Sequence, residues 1–277
     1  MQTLNVIGCG RVGQTLAALL HQHGACMVQD FYSRSMTSAE QAARFVGAGH
    51  VAPSLAAMRP ADLWLISVPD GKIAEVAAQL AQAQGHAMQG AVAWHSSGFL
   101  SAEVLAPLQV AGAATASVHP VLSFATPASA VAQFAGSLCG LEGQPQALTV
   151  LRPLVAAIGG QGFEIESAKK PLYHAAAVFC SNFTVVLQGV AQEAWRESGV
   201  PAELLAPLTQ ALLQSSVANV ATLGPADALT GPAARGDNAL VQRQGEVVRA
   251  WHPKAGEAYR LLSDMATKLK QTGRTQG

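Results

Sequence analysis

Charge is scarce in this chain and favours neither sign: only 12% of the 277 residues are charged, and 17 basic side chains stand against 17 acidic ones. That balance excludes the basic footprint of a nucleic-acid binder and the cationic face that seeks an anionic membrane. The expected partner is a small molecule. Aromatics are also sparse, at 5%, so the apolar mass is mainly Ala, Leu and Val, which suits helices packed closely on a parallel sheet. The four cysteines, Cys9, Cys26, Cys139 and Cys180, form no C-x-x-C pair and no regular spacing, which argues against a disulfide framework or a zinc knuckle. His21 and His23 lie in a helix-like stretch without a Cys or Asp partner nearby, so no metal is expected. No basic segment followed by an apolar run and a small-residue cleavage site opens the sequence. Secretion is therefore not expected, and the cytoplasm is the default. The least charged stretch, Tyr173 to Gln192, still carries His174, Ser181, Asn182, Thr184 and Gln188. It reads as a buried core helix and not as a membrane span.

What is present is an alternation of short apolar runs with helical periodicity. Strands are expected at Thr3–Ile7, Cys26–Tyr32, Leu63–Val68, Ala91–Trp94, Ala113–Val118, Ser137–Leu141 and Gly162–Ile165. Helices are expected at Val12–His23, Thr37–Val46 (capped by Thr37 or Ser38), Ile73–Gln84 and Pro145–Ile158. Such alternation predicts βαβ units and a doubly wound parallel sheet, an α/β fold of the Rossmann type. It stops near Glu166. From Ser167 onward the pattern is helical, so the expected domains are 1–166, binding a dinucleotide, and 167–277, an all-helical domain.

Gly8-Cys9-Gly10-Arg11-Val12-Gly13 is a G-x-G-x-x-G motif placed after the first strand and opening the first helix. There the glycines permit a tight turn, close approach of a pyrophosphate and close helix–sheet packing, while the helix N-terminus offers free N–H groups to phosphate. Cofactor choice falls to the end of the second strand, where an NAD site carries an acidic residue about 20 residues past the glycines. Asp30 lies too early, inside the strand, and the tip reads Ser33-Arg34-Ser35. Two hydroxyls around a guanidinium suit a 2′-phosphate, which a carboxylate would repel. NADP(H) is the expected cofactor.

Ligands of open α/β sheets bind beyond the carboxyl ends of the strands. Three unusual segments fall there: Val68-Pro69-Asp70-Gly71, His95-Ser96-Ser97-Gly98 and Val118-His119-Pro120. Each alone reads as a polar turn leaving a strand; their recurrence at successive strand ends points to a site. His119 is the candidate proton donor, since an unperturbed imidazole titrates near neutrality, or else it is a structural turn residue. Ser96 and Ser97 are candidates to hydrogen-bond a substrate. On one continuous helix His174, Ser181 and Asn182 would fall within about 100° of arc. Such a stripe is either hydrogen-bonded inside the fold or faces a polar ligand. Arg235, in Gly231-Pro232-Ala233-Ala234-Arg235-Gly236-Asp237, either holds a substrate carboxylate or pairs with Asp237.

Taken in order, Gly8-x-Gly10-x-x-Gly13, Ser33-Arg34-Ser35, Ser67-Val-Pro-Asp70, His95-Ser-Ser-Gly98, Ser117-Val-His-Pro120, Tyr173-His174 with Ser181-Asn182, and Gly231-Pro-x-x-Arg-Gly-Asp237 resemble a family of bacterial Rossmann-like proteins. The C-terminal half of that family is a domain of unknown function, and its members carry the label of NADP-dependent oxidoreductases. More distantly the chain is similar to pyrroline-5-carboxylate reductase, the deazaflavin-dependent NADP reductases, ketopantoate reductase and the β-hydroxyacid dehydrogenases. The resemblance implies NADP binding, a cleft between two domains and a homodimer formed through the helical domain. The β-hydroxyacid dehydrogenases use a Lys on the first long helix of the second domain. Here that stretch offers His174 and Asn182, with Lys169 and Lys170 at or before the helix start, so reduction of an imine is as compatible as that of a carbonyl.

The expected function is thus an NADPH-dependent oxidoreductase transferring hydride to C=O or C=N of a small polar molecule. Gly8, Gly10, Arg11, Val12 and Gly13 with Ser33, Arg34 and Ser35 bind the cofactor, joined by Val68, Pro69 and Ser96. His119, Ser97, His174, Asn182 and Arg235 form the catalytic set. The alternative is a non-catalytic NADP(H)-binding redox sensor or regulator, which needs the same phosphate site and no proton donor.

Overall fold

Leu63-Trp64-Leu65-Ile66 is apolar at every position because both faces of that strand are covered. In the computed structural model, which describes residues 1–276, Leu63 and Leu65 join one apolar cluster while Trp64 and Ile66 join another, as a side-chain period of two requires. The chain divides into two compact units, Met1–Ser181 and Asn182–Gly277. The first unit contains an eight-stranded sheet in the order β3-β2-β1-β4-β5-β6-β7-β8. Its elements are β1 (Thr3–Ile7), α1 (Arg11–Gln22), β2 (Met27–Tyr32), α2 (Met36–Val46), β3 (His50–Val51), β4 (Leu63–Ile66), α3 (Asp70–Gln84), β5 (Val92–His95), α4 (Ala106–Val110), β6 (Ala114–Pro120), α5 (Pro127–Gln133), β7 (Leu138–Gly143), α6 (Pro145–Ala157), β8 (Gln161–Glu164) and α7 (Lys170–Val178). Helices α1, α2 and α6 supply the cluster on one face, and α3 with the segment Leu105–Leu108 supplies that on the other. This is a Rossmann-like sheet followed by helices, the class the alternation predicts.

One pairing departs from the expected parallel sheet. β6 and β7 run antiparallel, with Val118 opposite Leu141 and Pro120 opposite Cys139. The connecting residues 121–137 hold only the seven-residue α5. The chain turns over, and the Val121 amide donates to Leu138 O at 2.8 Å. β8 then pairs parallel to β7. The cap of α2 is also displaced: the helix begins at Met36, and Ser35 Oγ, not Thr37 or Ser38, accepts the Ser38 amide at 3.3 Å.

The stretch Tyr173–Gln192 is neither a single α-helix nor buried. α7 passes at Phe179–Phe183 into one wide π turn and continues as α8 (Thr184–Glu197). None of residues 173–192 is in the buried class. By length and composition alone, the run Ser167–Glu197 is apolar enough to cross a membrane.

Within the second unit, α8 is followed by α9 (Ala202–Leu223), α10 (Pro225–Ala228), α11 (Asn238–Trp251) and α12 (Pro253–Thr272). Gln192 ties α8 to Thr209 of α9 at 3.0 Å. His252 caps α12 by accepting the Ala255 amide at 3.2 Å, and the Tyr259 hydroxyl donates to Gln244 of α11 at 2.9 Å. A Cβ at Gly256 would press on Arg249 of α11, so the close approach of these two helices depends on that glycine.

Candidate active site

The turn after β1 uses its three glycines for three different purposes. Gly8 has φ of +94°, and a Cβ there would strike the carbonyl of Ser67. Gly13 would strike the Gly8 carbonyl, so its absent side chain lets α1 sit on the strand end. At Gly10 nothing lies within 4 Å of a built Cβ: the space above it is open. No side chain caps α1 and no acidic residue occupies its first turn, leaving the N–H groups for an anion. The Arg11 side chain is exposed beside this turn, whereas Val12 packs on the apolar cluster and offers only its backbone.

A cavity of about 200 Å³ opens on this turn, lined among others by Gly8, Gly10, Ser33, Arg34, Val68 and Pro69. Lys72 and Glu75 of α3 line it too and pair with each other at 2.7 Å. Ser35 is not among the lining residues, since its Oγ caps α2. Asp30, the carboxylate that could have competed for a ribose, is 3% exposed and fully engaged. Arg59 Nη2 donates to its Oδ1 at 2.6 Å, Arg59 Nε at 3.1 Å, and the Arg59 amide to Oδ2 at 2.7 Å. A cradle with an open glycine, a rim of hydroxyl and guanidinium, and no free carboxylate at the strand tip fits a phosphorylated dinucleotide.

Around the carboxyl ends of β4, β5 and β6, a second set converges. The loop after β5 is tied by its own polar groups. His95 Nδ1 accepts the Ser97 amide at 3.1 Å, and its Nε2 lies 3.1 Å from Ser101 O. Ser97 Oγ donates to Asp70 Oδ2 at 2.7 Å and accepts the Phe99 and Leu100 amides at 3.1 and 2.9 Å. Ser97 is therefore saturated within the protein. Ser96 Oγ, by contrast, is buried without a hydrogen-bond partner.

His119, at the end of β6, meets α7. Its Nδ1 lies 2.9 Å from the Tyr173 hydroxyl, and its ring stands nearly perpendicular to that of His174, with centroids 5.6 Å apart. His174 Nδ1 is a second buried polar atom without a partner. Gly98 separates the two imidazoles: a Cβ there would lie 2.5 Å from His174 Nδ1 and 2.8 Å from His119 Nε2. Burial, reinforced by the neighbouring His174 and the Lys170 ammonium, pushes the His119 imidazole down to about 4. An imidazole so depressed is neutral at pH 7. Burial likewise pushes His95 down to about 4 and the Tyr173 phenol up to about 12.

His119, Ser96, Ser97 and His174 thus meet in the first unit, with Asp70 and Tyr173. Asn182 and Arg235 belong to the second unit. Arg235 forms no ion pair with Asp237; Asp237 Oδ1 instead caps α11 by accepting the Leu240 amide at 3.1 Å. Ser181 Oγ donates to Ala177 O at 3.0 Å, a bond internal to its own helix. Lys170, outside the expected catalytic set, has a side chain 0% exposed, and its ammonium reaches Ser97 O, Ser117 Oγ and Glu142. The available signal was a lysine abutting a long uncharged stretch, with a lone Glu142 inside a strand. A cavity of about 530 Å³, larger than the one over the glycine turn, lies elsewhere, between α11 and α12. Several of its polar side chains pair locally, Arg260 with Asp264 and Gln242 with Glu246. Among the described residues no group of three or more metal-binding side chains occurs.

A Rossmann-like domain matches residues 2–120, and a domain of unknown function (DUF2520) matches residues 137–266. No curated protein matches the chain. Among solved structures it is similar to a "putative NADP oxidoreductase" from Bacteroides fragilis, at 23% identity over 96% of this chain and 98% of that chain, with a TM-score of 0.80. A protein from Thermotoga maritima shares 27% identity over 98% of this chain and 99% of its own, with a TM-score of 0.74. An imine reductase from Myxococcus stipitatus, solved with NADP+, shares 19% identity over 99% of this chain and 96% of its own, with a TM-score of 0.69. These likenesses establish the fold, and the two domain matches are those of the family that the motifs resemble.

Proposed function

For a chain built as a Rossmann-like domain followed by the DUF2520 domain, we propose an NADPH-dependent oxidoreductase that transfers hydride to C=O or C=N of a small polar substrate. The observation that carries this reading is the cavity at Gly8, Gly10, Ser33 and Arg34 beside an Asp30 already neutralised by Arg59. Neighbours of the same fold support it, among them an imine reductase solved with NADP+. Residues 1–166 hold the cofactor; residues 167–277 contribute to substrate binding and to dimerisation.

The α1 N-terminus and the glycine turn receive the pyrophosphate, while Ser33 and Arg34 on the cavity wall face the 2′-phosphate. Val68 and Pro69 flank the cofactor, and Ser96 Oγ gains from it the partner it otherwise lacks. Reduced nicotinamide, when bound, supplies the hydride. The chain's own part is to place the substrate and manage its proton. With the Tyr173 phenol donating to His119 Nδ1, the neutral ring carries its proton on Nε2, beside Gly98, where it can orient a carbonyl oxygen or imine nitrogen. Ser97 holds Asp70 and the loop, and His174 stands beside His119 across Gly98.

Large apolar side chains stand exposed on the helices after the sheet: Leu172 at 77%, Val185 at 71%, Val217 at 61%. A second copy of the chain is the expected cover, giving a cytoplasmic homodimer. Calorimetry with NADPH and NADH, followed by turnover of a panel of imines and ketoacids, tests the function. NADPH-selective binding with turnover supports it. Binding without any turnover returns the reading to a redox sensor, and no heat with either coenzyme refutes both.

A further inference from the structure

Lys170 opens α7 with its side chain wholly out of solvent, a costly place for an ammonium unless it is paired. Its Nζ donates to Ser97 O at 3.0 Å and to Ser117 Oγ, and lies 3.6 Å from Glu142 Oε1. Glu142 is held in turn: Oε1 accepts the Ala102 amide at 2.7 Å, and Oε2 accepts the Ser167 hydroxyl at 2.8 Å. The loop after β5, the strands β6 and β7, and the start of α7 therefore meet at one charge.

The spacing along the two elements matters as much as the contacts. Ser117 and His119 are two apart on β6 and share a face. Lys170 and Tyr173 are three apart on α7 and sit one above the other. Lys170 meets Ser117, and one turn later Tyr173 meets His119 at 2.9 Å. These are two rungs between the same helix and the same strand, and His174 follows beside Gly98.

We propose that Lys170 is the positioning residue of this site: by clamping Ser97 and Ser117 it sets the register of α7 on β6, and so presents Tyr173 to His119 and His174 to Gly98. The register itself stands without the oxidoreductase reading; only its effect on turnover rests on that reading. The charged and titratable groups facing His119 are Tyr173, His174 and Lys170 from α7 and Asp70 from α3, with Glu142 of β7 behind Lys170.

Lys170→Met, close in length and apolar, is the informative variant, read by NMR of 15N-histidine-labelled protein, thermal melting, NADPH titration, and NADPH oxidation with 1-pyrroline and pyruvate as probes. Expected are a folded protein, NADPH affinity within about threefold of the parent, loss of the hydrogen-bonded His119 Nδ1 signal, and a His119 titration midpoint raised by half a pH unit or more. Turnover of whichever probe the parent accepts falls at least tenfold, in kcat. A folded Lys170→Met with an unchanged His119 spectrum and midpoint overturns the proposal. Should that variant not fold, Ser117→Ala removes one rung and leaves the charge; it must move the same His119 signal, and an unmoved signal again overturns the proposal. If the parent turns over neither probe but the His119 changes occur, the register assignment holds and only the oxidoreductase reading loses support.

Discussion

Replacing Arg34 by Ala tests the electrostatic basis of cofactor choice. Arg34 and Ser33 line the cavity over the glycine turn, and the nearest carboxylate on β2, Asp30, is held by Arg59 at 2.6 Å and is 3% exposed. A hydrogen bond to a charged group contributes about 1.5–3 kcal/mol. Arg34 is exposed on the cavity rim, where solvent and salt weaken the contact, so the lower end applies. About 1.5–2 kcal/mol is a loss of roughly 10- to 30-fold in NADPH affinity, since every 1.4 kcal/mol is tenfold. NADH has no 2′-phosphate, so its affinity should stay within about twofold to threefold by the same arithmetic. Lys72, paired with Glu75 at 2.7 Å on the same cavity, is the source of the residual preference. The assay is a fluorescence titration of both reduced coenzymes against parent and variant at low and high salt. The parent's preference should shrink as salt rises, and the variant's should change little. Equal losses for NADPH and NADH, or an unchanged NADPH affinity, would refute the assignment.

Other perturbations separate the parts of the site. Gly98→Ala puts a methyl 2.5 Å from His174 Nδ1 and 2.8 Å from His119 Nε2; it should cost about 1–3 kcal/mol in urea unfolding and abolish turnover while NADPH binding persists. Tyr173→Phe removes the 2.9 Å partner of His119 Nδ1; kcat should fall at least tenfold with little change in NADPH affinity, and equal kcat would show that the phenol plays no part. His95 gives a pH dependence whose sign is set by its depressed value. Folded, it titrates near 4; unfolded, near 6.5, so the unfolded chain takes up a proton first, and stability is full above about 6.5 and declines towards pH 4. The span of about 2.5 units corresponds to roughly 3 kcal/mol as an order of magnitude. Urea midpoints at pH 7, 5.5 and 4.5 should fall in the parent and fall less steeply in His95→Gln; identical slopes would exclude His95 as the source.

The local code of this chain was legible in the sequence. The alternation of apolar runs with helical segments, the glycine turn after the first strand and the Ser33-Arg34-Ser35 tip are each specified within a few residues, by side-chain period and turn chemistry. Only the tertiary structure decided matters that depend on distant partners. Asp30 is removed from cofactor chemistry by Arg59, 29 residues away. β7 pairs antiparallel with β6, where the alternation alone predicts a parallel strand. Ser97 is occupied by Asp70, whereas its neighbour Ser96 is left bare. Lys170, which reads as a solvated lysine before a helix, finds Ser97 and Ser117 at separations of 73 and 53 residues and is buried between them. His119 is likewise buried at the end of β6, and that desolvation, with His174 and Lys170 nearby, pushes its imidazole down to about 4. A residue's type states which bonds it can make; which of them it makes depends on desolvation and on partners that only the folded chain brings together.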